Sequence, residues 1–140
     1  MFTTKHDATE SSVYQFNTSR GFVKVATPET IAIDVVAFFQ KSGGIPAAFE
    51  IISDLCTHLT LNSFRIAITL LNKAPILQRL GYFFELLKLE KYASLCEKKL
   101  KKYPYIRKIP LDPHENLDKG TFNERWHLII NTELELEHDT

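Results

Sequence analysis

Few residues of this chain have the types and spacing that chemistry requires. Cys56 and His58 are potential metal ligands, but residues two apart on a helix point to different sides and cannot grip one ion. Residues 41–44, Lys-Ser-Gly-Gly, lack the Gly-Lys-Ser/Thr of a phosphate-binding loop, and a helix C-cap explains the glycines better. Alternating glutamates at 133–137 predict a solvated ridge. We therefore expect no catalytic residues, no metal and no cofactor, and a protein that is not an enzyme.

Two charged residues and a glycine lie within apolar helical patterns. Asp34 is expected to be buried, and a buried carboxylate needs a partner, so we predict a structural salt bridge with Arg65 or Arg79. A catalytic acid is the alternative interpretation. Gly81 costs a helix about 1 kcal/mol relative to alanine, and it predicts the close approach of another backbone.

Charge is unevenly distributed, although the 17 basic and 17 acidic residues cancel. The stretch from Lys88 to Lys108 is basic, and the stretch from Asp112 onward is acidic. Lysines near a helix C-terminus interact favourably with the helix dipole and keep the surface soluble. The alternative is a patch for nucleic acid or an acidic partner, with Tyr103 and Tyr105 available for stacking. The candidate binding residues of this segment are Lys98, Lys99, Lys101, Lys102, Arg107 and Lys108.

Composition indicates one globular domain, because 44% of the 140 residues are apolar. The two cysteines lie in apolar helical patterns, where a free thiol behaves as a small hydrophobe, and a reducing cytoplasm is the simplest location. No apolar run approaches the length of about 20 residues that spans a bilayer. The polar start of the chain also lacks the apolar region of a signal peptide. We expect a cytoplasmic protein with no membrane association.

Capping and turn signals predict the order of the elements. A hairpin formed by strands at Val13–Phe16 and from Phe22 precedes a helix that Thr27 caps and that runs from Pro28 to about Lys41. Further helices should begin at Ile45, after Thr60 or Asn62, at Pro75 and at about Glu90, the last ending near Tyr103. Short strands follow at Ile106–Leu111 and Arg125–Asn131.

The predicted fold class is therefore α+β, with a five-helix body and a small sheet built from N-terminal and C-terminal strands. We expect residues 1–12 to be a flexible lead-in, residues 13–132 to form a single domain, and residues 133–140 to be an acidic tail.

Several short motifs follow one another in a definite order. They are Gly-Phe-Val-Lys-Val at 21–25, Thr-Pro-Glu at 27–29, Asp34, Gly43-Gly44, Arg-Leu-Gly-Tyr at 79–82, Pro-Leu-Asp-Pro at 110–113, Arg125-Trp126 and Asn131. Their order and spacing resemble the C-terminal domain of AbiEi-family antitoxins over about residues 13 to 131.

The resemblance implies a bacterial, non-enzymatic antitoxin of a type IV toxin-antitoxin system, active in abortive infection and phage defence. Its partner would be a nucleotidyltransferase toxin, with direct contact left open. The family's N-terminal winged-helix domain, which binds operator DNA and represses transcription, is not expected here because only residues 1–20 precede the first of these motifs. The polar motif positions Lys24, Arg79 and Arg125 join the basic segment as candidate partner-binding residues.

Two other functions stay open. The basic segment from Lys98 to Lys108 suits a nucleic-acid-binding regulatory module, and the terminal strands suit a protein-interaction or dimerisation domain. The oligomeric state is not predicted by the sequence.

Overall fold

Five helices and two small sheets make up the described part of the chain. The computed structural model describes residues 13–18 and 21–134, with side chains from Thr27 onward apart from that of Lys119. The helices are α1 (Pro28–Ala37), α2 (Ile45–Leu55), α3 (Leu61–Thr69), α4 (Ala74–Leu86) and α5 (Glu90–Leu100). The strands are β1 (Val13–Thr18), β2 (Gly21–Ala26), β3 (Ile109–Pro110), β4 (Thr121–Asn123) and β5 (Leu128–Ile130). The predicted α+β class with a five-helix body is confirmed.

The strands form two separate sheets, so the prediction of one sheet from both ends of the chain is wrong in this detail. β1 and β2 pair as the expected antiparallel hairpin, with Val13 opposite Ala26. β5 lies between β3, which is parallel to it, and β4, which is antiparallel. Both partners of β5 directly precede it in the chain, whereas five helices separate it from the hairpin. Closing the shorter loops costs less conformational entropy.

The start of α1 follows its capping signal, but its end comes earlier than predicted. The Thr27 hydroxyl accepts a hydrogen bond from the Thr30 backbone N–H at 3.2 Å, as a helix cap requires. The helix ends at Ala37 instead of near Lys41, and Phe38 leaves the core with 40% of its surface exposed. Gly43 and Gly44, at φ values of +104° and +103°, complete the turn into α2.

The N-termini of α1 and α3 are joined through one carboxylate. Glu29 is buried in the first turn of α1, and its Oε2 accepts a hydrogen bond from the Thr60 backbone N–H at 2.7 Å. Thr60 in turn caps α3, where its hydroxyl accepts from the Ser63 N–H at 3.3 Å. This contact holds the N-terminus of α3 against α1, while Phe64 of α3 packs on Phe84 and Tyr92.

The C-terminal strands are shorter than the sequence suggests. The strand predicted at Ile106–Leu111 is reduced to β3, and the one predicted at Arg125–Asn131 is reduced to β5. Arg125 and Trp126 lie in a turn, because the Trp126 N–H is held by the Asn123 Oδ1 at 3.1 Å and His127 adopts a φ of 53°.

α4 is the element that joins the helical body to the C-terminal sheet. Its Leu77, Leu80, Phe83 and Phe84 are fully buried among the other helices. On its other side Gly81 lies against Trp126, whose ring would overlap a Cβ at that position. The close approach expected at Gly81 therefore comes from an aromatic ring rather than from a backbone.

Parts of the predicted domain plan fall beyond the described residues. The expected lead-in at 1–12 lies outside them, as do residues 135–140 of the expected acidic tail. Among the residues that the structure describes, no helix combines the length and apolar composition of a membrane span.

Candidate functional site

Arg79, one of the predicted binding residues, is buried in α4 and bound to the loop at β3. Its Nε donates to the Leu111 carbonyl at 3.0 Å and its Nη2 to the Pro110 carbonyl at 2.8 Å. The guanidinium also lies over the Phe39 ring, 5.2 Å from the centroid. Burial lowers the pKa of Arg79, and the nearby Asp112 carboxylate opposes that shift. Through these hydrogen bonds Arg79 links α4 to β3.

The predicted salt bridge of Asp34 with Arg79 or Arg65 does not form within the described part of the chain. Arg79 instead meets the two carbonyls, because α4 presents it toward β3. Asp34 and Arg79 nevertheless line one cavity of about 480 Å³ between α1 and the start of α4. Most of its remaining wall is apolar, formed by residues that include Ile33, Val36 and Leu71.

Arg125, the second predicted binding residue from the motifs, is surrounded by carboxylates. Its Nη2 lies 2.6 Å from a Glu90 oxygen and 3.0 Å from a Glu97 oxygen, and its Nη1 lies 3.4 Å from Glu85. The guanidinium also stacks over Trp126, 4.8 Å from the ring. The hydrogen bond with Glu90 raises the pKa of Arg125 and, reciprocally, lowers the pKa of Glu90. Arg125 thus joins α4, α5 and the turn before β5.

The residues of the predicted basic segment have different surroundings. The Lys99 ammonium donates to the Thr69 carbonyl at 2.7 Å and so closes the C-terminal end of α3. Lys108 lies over the Phe122 ring, 5.4 Å from its centroid. Three others, Lys101, Lys102 and Arg107, are exposed.

Lys98 contributes to a groove between α3 and α5, which we call the α3–α5 groove. This groove has a volume of about 300 Å³ and is lined by Leu61, Arg65, Glu90, Lys91, Ser94, Leu95 and Lys98. Three of these side chains are cationic, and none of the three forms an ion pair within the described part of the chain. The single carboxylate of the lining, Glu90, is bound by Arg125.

Sequence reasoning identified Lys98 but missed Arg65 and Lys91. The spacing of Lys91 and Lys98, seven positions apart, is a local signal, because such residues share one side of a helix. Arg65 gave no such signal, since it reaches the groove through the packing of α3 on α5.

Lys24, the remaining motif residue, is on β2, where its Cα pairs with that of Gln15. Its side chain lies outside the described part of the structure. For metal binding, the residues that are described bring together no group of three or more His, Cys, Asp or Glu side chains.

Comparison with known proteins identifies the class. The family model of the AbiEi antitoxin C-terminal domain matches residues 7–86, which is more than half of the 140 residues. The match defines an antitoxin domain. The chain belongs to the AbiEi antitoxin C-terminal domain family. No match was found among curated proteins or solved structures.

The matched segment is shorter than the resemblance drawn from the motifs. It extends from residue 7 to the end of α4, so it contains the hairpin and four helices. α5 and the three-stranded sheet lie beyond it, together with the motifs at 110–113, Arg125-Trp126 and Asn131. The family implies a toxin-antitoxin role and a toxin partner in general terms.

Proposed function

We propose that this protein is a non-enzymatic antitoxin that counteracts a nucleotidyltransferase toxin of a type IV, abortive-infection system. The match to the AbiEi antitoxin C-terminal domain over residues 7–86 is the observation that carries the proposal. Antitoxins of this family are generally non-enzymatic, which agrees with the lack of a catalytic motif in the sequence. We propose the bacterial cytoplasm, where such a toxin would act, as the location.

The predicted binding residues divide into two groups by their contacts. Arg79 and Arg125 are bound within the fold, so we assign them to positioning of the C-terminal sheet. Lys98, Lys101, Lys102 and Arg107 are exposed and make no ion pair in the described structure, so they are available to a partner. We place the contact surface on these residues.

Co-expression with an AbiEii-like nucleotidyltransferase toxin tests the function. We expect the toxin alone to arrest growth and the full chain to relieve the arrest. A toxin whose catalytic acid has been substituted should be harmless in both strains and controls for overexpression. Arrest that continues despite the presence of folded antitoxin would contradict the proposal.

A quadruple variant, with Lys98, Lys101, Lys102 and Arg107 each replaced by Gln, tests the surface. Because these side chains are exposed, we expect normal folding and reduced protection. Replacement of the exposed Lys41, Lys73 and Lys88 by Gln is the control for a general loss of positive charge. Equal protection by both variants would remove the surface from the proposal and leave the antitoxin function standing.

A further inference from the structure

We propose that the α3–α5 groove binds the phosphate backbone of single-stranded nucleic acid, whose bases stack on Tyr105. This goes beyond the antitoxin function and does not rest on it. The ligand is defined by two chemical properties, a chain of phosphates and accessible base faces. The groove supplies contacts for the first, and an exposed aromatic ring supplies a contact for the second.

The charge of the groove favours an anion. Arg65, Lys91 and Lys98 line it without forming ion pairs among the described residues. Glu90, the one carboxylate of the lining, is already engaged, because both of its oxygens accept hydrogen bonds from Arg125, at 3.2 and 2.6 Å. The Ser94 hydroxyl, which donates to Glu90 at 3.1 Å, adds a polar group to the same wall. Three cations therefore line a groove that contains one carboxylate, so the charge of the lining itself is positive.

The cationic line extends beyond the groove along α5. Lys91 and Lys98 are separated by two helical turns, or about 10 Å at the usual rise per residue. Lys102 is four positions after Lys98, in the turn that follows the helix, and it is exposed. The positive charges thus form a row that can follow an extended chain of phosphates.

Tyr105 determines the choice of a single strand. Its side chain is 76% exposed, and it lies within about 11 Å of chain from Lys102. A base in a single strand can stack on such a ring, and this contact tolerates any sequence. A duplex keeps its bases stacked on one another, and an acidic peptide has no base face to offer. Tyr103, which was also expected to stack, is packed against the core, and burial raises its pKa.

Fluorescence anisotropy with a labelled oligothymidylate of about 12 nucleotides tests the proposal, since this length spans common single-strand site sizes. We expect the full chain to bind this probe more tightly than a duplex of equal length, and not to bind polyglutamate. Absence of single-strand binding, equal affinity for the duplex, or preferred binding of polyglutamate would each overturn the proposal.

Variants then locate the contacts. Replacement of Arg65, Lys91 and Lys98 by Gln should reduce the slope of log affinity against log salt by about 2, because each phosphate contact on a single strand contributes about 0.7. The matched control, with Lys41, Lys73 and Lys88 replaced by Gln, should keep the slope. An equal reduction by both triple variants would show a diffuse charge effect and would overturn the assignment to the groove.

Tyr105→Ala should weaken binding by about tenfold, the effect expected for the loss of one stacked base, and Tyr105→Phe should retain it. Unchanged affinity in Tyr105→Ala would remove the stacking contact and with it the single-strand claim. Chemical-shift mapping on the unsubstituted protein provides a second measurement that does not depend on the variants. Shifts that avoid Lys91, Lys98 and Tyr105 would overturn the proposal.

Discussion

Gly81 of α4 lies directly beneath the indole ring of Trp126, which is buried in the turn before β5. The indole Nε1 of this ring donates to the Glu85 carboxylate at 2.6 Å, so the ring is held by a residue one turn further along the same helix. The C-terminal sheet therefore rests on α4 at a position that only a residue without a side chain can occupy.

Gly81→Ala should destabilise the protein despite the better helix propensity of alanine. Overpacking against Trp126 costs about 1–3 kcal/mol, whereas the propensity gain is about 1 kcal/mol. Urea unfolding measures the difference. In a Trp126→Leu background, where the ring is absent, the same substitution should cost much less. A more stable Gly81→Ala protein would contradict the close contact.

The two hydrogen bonds that link Arg79 to β3 should require a guanidinium group. Arg79→Met removes both donors and leaves the Pro110 and Leu111 carbonyls without them, at an expected cost of about 2–4 kcal/mol. Arg79→Lys should be less damaging because an ammonium can still reach one carbonyl. Thermal or urea unfolding measures the relative stability of the unsubstituted protein and the two variants. Equal unfolding free energies of the Arg79→Met and Arg79→Lys proteins would show that the hydrogen bonds are not the stabilising contact.

The ion pairs of Arg125 should make the free energy of unfolding fall as the pH is lowered through the acidic range. The hydrogen bond from Arg125 lowers the pKa of Glu90 in the folded state. A carboxyl with a lowered folded pKa contributes stability above its unfolded pKa of about 4.3, and this is lost as pH falls through the folded value.

Arg125→Gln tests this dependence. We expect NMR titration to show the Glu90 pKa rising toward its ordinary value in this variant. The difference in unfolding free energy between the two proteins should shrink as pH falls below about 4. Glu124→Gln, which changes an exposed carboxylate with no ion pair in the described structure, is the control. A Glu90 pKa unaffected by Arg125→Gln would argue against the pairing.

The contact between Glu29 and the Thr60 N–H should depend on the acceptor atom rather than on the charge alone. Glu29→Ala removes the acceptor of a buried hydrogen bond and should cost about 1–3 kcal/mol. Glu29→Gln keeps an oxygen in nearly the same place and should cost less. Hydrogen exchange at the Thr60 amide reports the contact directly: we expect it to accelerate most in Glu29→Ala. An unchanged exchange rate in Glu29→Ala would argue against the hydrogen bond between Glu29 and the Thr60 N–H.

The two cysteines should differ in reactivity. Cys96 is fully buried, and burial raises the pKa of its thiol, so the reactive thiolate is scarce. Cys56 is only partly buried and donates to the Ser53 carbonyl at 3.0 Å. Iodoacetamide should therefore label Cys56 first, as peptide mass spectrometry would show. Faster labelling of Cys96 in the native protein would contradict its burial, and both should react in denaturant.

Local signals in the sequence predicted local structure well. The Thr27 cap depends on a hydrogen bond only three residues away, and the first turn of α1 formed as its sequence indicates. The end of α1 was harder to place, because Phe38 has the apolar character of a helix residue but lies in the turn toward Gly44. Composition alone does not distinguish these two environments.

Residues that depend on tertiary contacts were interpreted less accurately. Arg125 has the appearance of a surface cation in the sequence, yet glutamates on α4 and α5 surround it. Arg65 joins Lys91 and Lys98 only because α3 packs against α5. No spacing along the chain encodes such an arrangement, since its members come from elements that meet only after folding.

The contacts of α4 also extend past the end of the segment that the family model matches. The family match ends where α4 ends, but Arg79 and Gly81 contact residues well beyond that point. The buried Gln78 of the same helix does so as well, because its Nε2 donates to the Arg107 and Trp126 carbonyls, both at 2.9 Å. A fragment trimmed to the matched segment would expose these three positions to water and would lose the contacts that join α4 to the C-terminal sheet. The contacts of α4 therefore extend beyond the matched segment, and a shortened form of the protein should keep the whole of α4 together with the sheet that covers it.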